Sequence, residues 1–155
     1  MNNPYYIEGY YKGVPSFKYY NDNDKRDRYN YIYNIKTGIK WECIEFIRRY
    51  FMIKYRLTFE LVDNVYDMVN LKYFINIDTL KPFFLNFYPR NSNFTPKVDD
   101  LVLFYYKNTG HIAIISNTSN IIEICEQNWN KNWESSKYSR KIKINNPSII
   151  GFFRI

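Results

Sequence analysis

Near residue 100 the hydrophobic pattern of this chain changes period, and the switch narrows its architecture sharply. Before it, Trp41 to about Tyr55 runs without Gly or Pro. Cys43, Phe46, Ile47, Tyr50 and Phe51 share one helical face there, and Glu45, Arg48 and Arg49 extend from the others. A second helix is expected over Phe59 to Phe74, with Leu61, Val62, Val65, Met68, Val69 and Leu71 on its buried side. Beyond the switch, Leu101–Tyr106, Ile112–Ser116 and Ile121–Glu126 read as strands, followed by weaker ones near Lys141–Ile144 and Ile149–Arg154. Helices first and antiparallel strands afterwards predict an α+β domain. Residues 1–40 read as irregular, with turn signals at Gly9, Gly13-Val14-Pro15 and Gly38 and a solvated loop over Asn21–Arg28. Lys81–Pro96 reads as another loop.

A length of 155 residues fits one domain, and a domain of this size buries roughly 70% of its unfolded surface without help from a metal or disulfide. Two cysteines do not make a disulfide scaffold. There is no apolar run of membrane-spanning length, and Met1-Asn2-Asn3-Pro4 lacks the hydrophobic stretch of a signal peptide, so a cytoplasmic protein is expected. The net charge of +7 and the aromatic content raise nucleic-acid binding as a candidate. Yet Asn and Ile occur 20 times each and Tyr 17 times, while Ala113 is the only alanine. That is the bias of A/T-rich codons, and the lysines form no basic stripe. Neither a nucleic acid nor a membrane is the expected partner.

The chemistry rests on few residues. His111 is the single histidine, and Cys43 and Cys125 are the two cysteines. Cys43 falls near the start of the first helix, where free N–H groups and the helix dipole favour a thiolate. The same place also suits an inert cysteine packed beside Phe46 and Ile47. If Asn117-Thr118-Ser119-Asn120 closes a hairpin, Ser116 pairs with Ile121 and the continuing register sets His111 opposite Glu126. Cβ atoms of such a pair lie about 5 Å apart, so the carboxylate accepts the imidazole N–H and holds its tautomer. Ala113, Ile115, Ile122 and Ile124 then share the His111 face. Cys125 points the other way with Ile112, Ile114 and Glu123, which makes it a poor nucleophile candidate. A hairpin histidine without a role remains the alternative.

Three motifs carry a resemblance. Gly38-Ile39-Lys40-Trp41-Glu42-Cys43-Ile44-Glu45-Phe46-Ile47-Arg48-Arg49-Tyr50-Phe51 resembles the nucleophile segment of glutathionylspermidine amidase domains, a branch of the papain-like CHAP amidohydrolases. Thr109-Gly110-His111-Ile112-Ala113-Ile114-Ile115 is similar to that family's histidine strand, and Ile124-Cys125-Glu126-Gln127-Asn128-Trp129 to its acid segment. The resemblance implies a papain-like CHAP fold with N-terminal helices packed on an antiparallel sheet. It implies hydrolysis of the amide between glutathione and a polyamine, with Cys43 as nucleophile, His111 as general base and acid, and Glu126 orienting His111. Arg48 and Asn128 would contact the substrate. No cofactor or metal is implied, and one amidase domain without a synthetase domain is expected over residues 1–155.

Two positions depart from the family's pattern. The family usually has Gln before the nucleophile, donating to the oxyanion, and this chain has Glu42. An ionised carboxylate cannot donate, and its charge opposes thiolate and oxyanion alike. The departure leaves open a slower amidase, an amidase or peptidase on a different peptide-like substrate, or a relative that binds a partner protein without cleaving. Asp99 stands where the family commonly has Gly.

Overall fold

The computed structural model describes residues 6–19, 28–106, 108–119 and 121–155. Its centre is a six-stranded antiparallel sheet. Its strands are β8 (Asn86–Pro89), β9 (Leu101–Tyr106), β10 (Thr109–Asn117), β11 (Ile122–Cys125), β12 (Arg140–Ile142) and β13 (Ile149–Arg154), in the order β12-β11-β10-β9-β13-β8. All five strands expected after residue 100 are present. The sheet is buried on both faces, which is why β9 and β10 carry continuous apolar runs and not a clean alternation. Leu101, Leu103, Ile112, Ile114 and Cys125 pack with α1 (Cys43–Tyr55), the one α-helix among the described residues; Val102, Phe104, Ala113, Ile115, Ile122 and Ile124 form a second cluster on the opposite face.

The N-terminal part differs from expectation. Among its described residues there is no bundle of helices on the sheet. Residues read as irregular form two hairpins, β1 (Ile7–Tyr11) with β2 (Val14–Phe17), and β3 (Tyr29–Ile32) with β4 (Ile35–Ile39). Each closes through two residues of positive φ, Lys12-Gly13 and Tyr33-Asn34, the geometry that suits the strands' twist. Tyr10, Tyr29 and Tyr31 on the exposed sides hid the alternation. The second helix is also absent. β5 (Leu57–Thr58), β6 (Tyr73–Asn76) and β7 (Pro82–Phe84) form a small sheet, and between β5 and β6 lies a 3₁₀ turn, Val65–Asn70. Asn64 starts that turn by accepting from the Tyr66 N–H at 2.9 Å. Its buried residues Val65 and Met68, followed by Leu71, recur every third position, the period of a 3₁₀ turn that a helical reading absorbs. The 81–96 loop contains β7 and β8. Residues 1–5, the 21–27 part of the charged run and Asn120 of the hairpin turn lie outside the described residues. No helix among the described residues is long and apolar enough to cross a membrane.

α1 is buried nearly all round, not along one stripe. Glu45, Arg48 and Arg49 are covered along with Phe46, Ile47 and Tyr50, because β4 and the first hairpin pack against the faces that a sequence pattern assigns to water.

Candidate active site

Cys43 is the first residue of α1, and Glu42, with extended backbone, is its N-cap. The first helical bond runs from the Phe46 N–H to the Glu42 carbonyl, so the N–H groups of residues 43–45 have no partner within the helix. His111 enters from β10. Its Nε2 lies 2.8 Å from Oε2 of Glu126, and the Cys43 side chain is near enough to act on the imidazole. The structure thus brings together the three residues that the sequence pairs on paper. It does so through a different register. Ile114 pairs with Cys125 and Ile115 with Ile124, two residues away from the expected alignment. A shift of two preserves the side-chain faces, and Glu126 reaches His111 diagonally, just past the last paired residues.

Burial alone would lower the pKa of His111. Hydrogen bonding and charge from Cys43 and Glu126 outweigh it and raise the value to about 9, so the imidazolium persists at neutral pH. Burial likewise works against ionisation of Glu126, and the donors around it win: His111 and Arg140 hold its pKa below the ordinary carboxylate value. Arg140 Nε donates to Oε1 at 2.8 Å and Nη2 to Oε2 at 3.1 Å, while Ser139 Oγ donates to Oε1 at 2.8 Å. Arg140 is fixed in turn by the Trp129 indole, 3.6 Å from guanidinium to ring centroid, and by the Tyr106 hydroxyl at 3.1 Å. Neither Ser139 nor Arg140 was legible in the sequence. β12 reaches β11 only after an irregular stretch, and no local spacing reveals that Arg140 sits opposite Ile124.

Gln127 joins this acid segment to the helix. Its Oε1 accepts from the Phe17 N–H at 2.8 Å and from Arg49 Nη2 at 2.9 Å, and its Nε2 donates to the Glu42 carbonyl at 3.1 Å and to Glu45 Oε2 at 2.9 Å. Glu45 and Arg49 are themselves a buried pair at 2.8 Å, and Asn30 and Thr37 add donors to Glu45. The i,i+4 spacing of Glu45 and Arg49 was a readable signal for that pair.

Glu42 is half-buried and makes no capping bond; burial raises its pKa, against the opposing charge of Arg28. Arg48 is packed over the Phe59 ring, donates from Nη2 to the Lys36 carbonyl at 3.0 Å, and has no partner for Nε or Nη1 among the described residues. Burial lowers its pKa to about 10. Asn128 is exposed in a left-handed conformation. It lines a cleft of about 210 Å³ together with Glu8, Lys18, Trp129 and Lys131. Cys125 is sealed in the core, its thiol donating to the Lys137 carbonyl at 3.3 Å and its pKa pushed up to about 12 by burial. Gly110, just before His111, has a positional reason: a Cβ there would lie 2.8 Å from that of Val65, so only glycine lets β10 pass the 3₁₀ turn.

Comparison with known proteins gives two findings. The family model described as the CHAP domain matches residues 34–128, more than half of the chain. The bifunctional glutathionylspermidine synthetase/amidase of Escherichia coli (strain K12) is 31% identical over 106 residues, and that of Shigella flexneri matches equally. The aligned stretch covers 64% of this chain and 17% of each relative.

Proposed function

This chain belongs to the CHAP domain family, and from that membership we propose that it is a cysteine amidohydrolase acting on amides of glutathione with a polyamine. Family and relatives support an amidase- or peptidase-like activity in general; the Cys43–His111–Glu126 contact is the observation that supports the finer reading. The Cys43 sulfur attacks the amide carbonyl at the end of α1, where the unpaired N–H groups offer donors to the developing oxyanion. His111, protonated at Nδ1 and oriented by Glu126 through Nε2, gives its proton to the departing amine as the C–N bond breaks. A thioester of Cys43 remains. Water adds to it with His111 as base, the C–S bond breaks, and the acid leaves with Cys43 regenerated. Glu42 borders the oxyanion position and donates only when protonated. Asn128 contributes its amide from the cleft, and Arg48 is the candidate for the glutathione portion. The amidase half of the relatives' name is carried over because a nucleophile, an acid–base and an orienting carboxylate are what amide hydrolysis needs.

A second reading, a relative that binds without cleaving, is favoured by Glu42, a carboxyl at the residue immediately before Cys43. One experiment separates the two. Purified protein incubated with glutathionylspermidine releases free glutathione, and Cys43→Ala abolishes the release. Iodoacetamide labels Cys43 much faster than Cys125, and His111→Ala slows that labelling. A folded protein with an inert Cys43 and no released glutathione leaves only the binding reading.

A further inference from the structure

The cleft beside Trp129 has two walls. One is the segment after the acid residue, with Asn128, Trp129 and Lys131; the other is the first hairpin, with Glu8 and Lys18. The hairpin is held against the acid segment at several points. Ser16 Oγ donates to the Glu126 carbonyl at 3.0 Å, the Phe17 N–H to Gln127 at 2.8 Å, and the Tyr10 N–H to the Ser136 carbonyl at 3.1 Å. Gly9 lies flat on the Trp133 ring, where any Cβ would collide. Ile7 pairs with Phe17 and Gly9 with Ser16, so Glu8 is the extra residue of a β-bulge. Bulges re-aim a side chain, and this one sends a carboxylate into the cleft.

That carboxylate is half-buried and accepts no hydrogen bond among the described residues. Lys18 acts on it only through charge and leans over the Tyr6 ring, 5.8 Å from its centroid; Lys131 is exposed. A partly desolvated acceptor with no donor is completed by a cation that brings N–H groups of its own. The side of the site is set by proton transfer. His111 hands its proton to the departing amine, so that amine leaves on the His111 side of Cys43, where the Trp129 ring stands 5.5 Å from the imidazole.

Resting on the amidase reading, we infer that this cleft receives the departing amine and that Glu8 selects leaving groups carrying a second, protonated nitrogen. Trp129 supplies an apolar wall for the methylenes between the two nitrogens, and Asn128 supplies an amide carbonyl. Lys18 opposes Glu8 and limits how much positive charge the cleft accepts.

The test uses two amides with one acyl group, releasing either propylamine or trimethylenediamine, and the wild type, Glu8→Gln and Lys18→Met proteins. The wild type is expected to prefer the diamine amide in kcat/KM; Glu8→Gln loses about tenfold of that preference, mainly through KM. Lys18→Met widens it. No preference in the wild type, an undiminished preference in Glu8→Gln, or a narrowed one in Lys18→Met (the behaviour of a cleft built for a carboxylate) overturns the inference. Binding of the free amines to the Cys43→Ala protein, followed by NMR titration, keeps the two readings apart. If neither amide is cleaved but trimethylenediamine binds more tightly than propylamine in a Glu8-dependent way, the ammonium site stands and the amidase reading falls. If both amides are cleaved equally well, the amidase reading stands and the selection by Glu8 falls.

Discussion

Glu42 concentrates the chemical tension of the site in one side chain. Half-buried next to Cys43, it is held above the ordinary carboxyl pKa by desolvation, and among the described residues its carboxyl has no hydrogen bond that would commit it to the ionised form. On the proposed amidase reading, its protonated form would donate a hydrogen bond to the oxyanion and its ionised form would repel it, so its contribution would change sign with pH. Glu42→Gln is expected to raise turnover, by up to about 10²-fold, the usual cost of one missing oxyanion donor. The gain should grow as pH rises through the raised pKa of Glu42, since the wild type loses its donor as the carboxyl ionises while Gln keeps one. A pH profile of kcat for the two proteins checks this; a variant no faster than the wild type at any pH shows that Glu42 is no handicap. The residues with one chemical meaning, the lone histidine and the cysteine at a helix start, were legible in the sequence. Arg140 and Ser139 were not, because arginine and serine have too many ordinary uses to be picked out without their neighbours.

At the level of elements, α1 shows how a hydrophobic stripe understates burial. Its apolar face was readable, but Glu45 and Arg49 carry the same structural weight, joined at 2.8 Å with 0% and 3% of their side chains exposed. Arg49 also reaches the Pro15 carbonyl at 2.5 Å and Gln127 at 2.9 Å, so one guanidinium ties the helix to the first hairpin and to the acid segment. Arg49→Met removes the cation and leaves the Glu45 carboxylate buried, a loss expected to cost about 3–5 kcal/mol in a urea unfolding titration. A cost below about 1 kcal/mol would mean that Asn30, Thr37 and Gln127 hold Glu45 without it. Strands after residue 100 were legible because their runs are apolar and bounded by turn residues. The N-terminal hairpins were not, since their exposed positions carry Tyr and their turns use Lys-Gly and Tyr-Asn. The supposed second helix failed because a spacing of three mimics one of 3.6 over so short a stretch.

Across the whole molecule, Asp99 fastens three parts of the chain at one carboxylate. Oδ1 accepts from the hydroxyls of Tyr11 and Tyr50 at 2.7 Å each, and Oδ2 from Lys12 Nζ and the Tyr55 hydroxyl at 2.5 Å each. The first hairpin, the helix and the entry to β9 therefore meet there, which gives physical sense to an acid where a glycine was expected. Asp99 has a φ of 73°, a conformation Asp and Asn both tolerate, so Asp99→Asn tests the charge and not the backbone. Burial opposes ionisation, yet the four donors, Lys12 first, hold the pKa below the ordinary 3.8. The stability Asp99 adds is thus complete above that ordinary value and is lost as pH falls through the lowered one. Thermal unfolding should show the variant less stable by about 2–3 kcal/mol at neutral pH, with the gap closing in strong acid. A gap independent of pH would assign the loss to geometry. The docking of the first hairpin has a wider consequence. Cys43, His111 and Glu126, the proposed reacting groups, sit on α1, β10 and the residues after β11, whereas Glu8 and Lys18 belong to a separate ribbon clipped on by Ser16, Phe17 and Gly9. On the proposed reading, reaction and choice of substrate are carried by different stretches of the chain, and substitutions in the first hairpin redirect the one without disturbing the other.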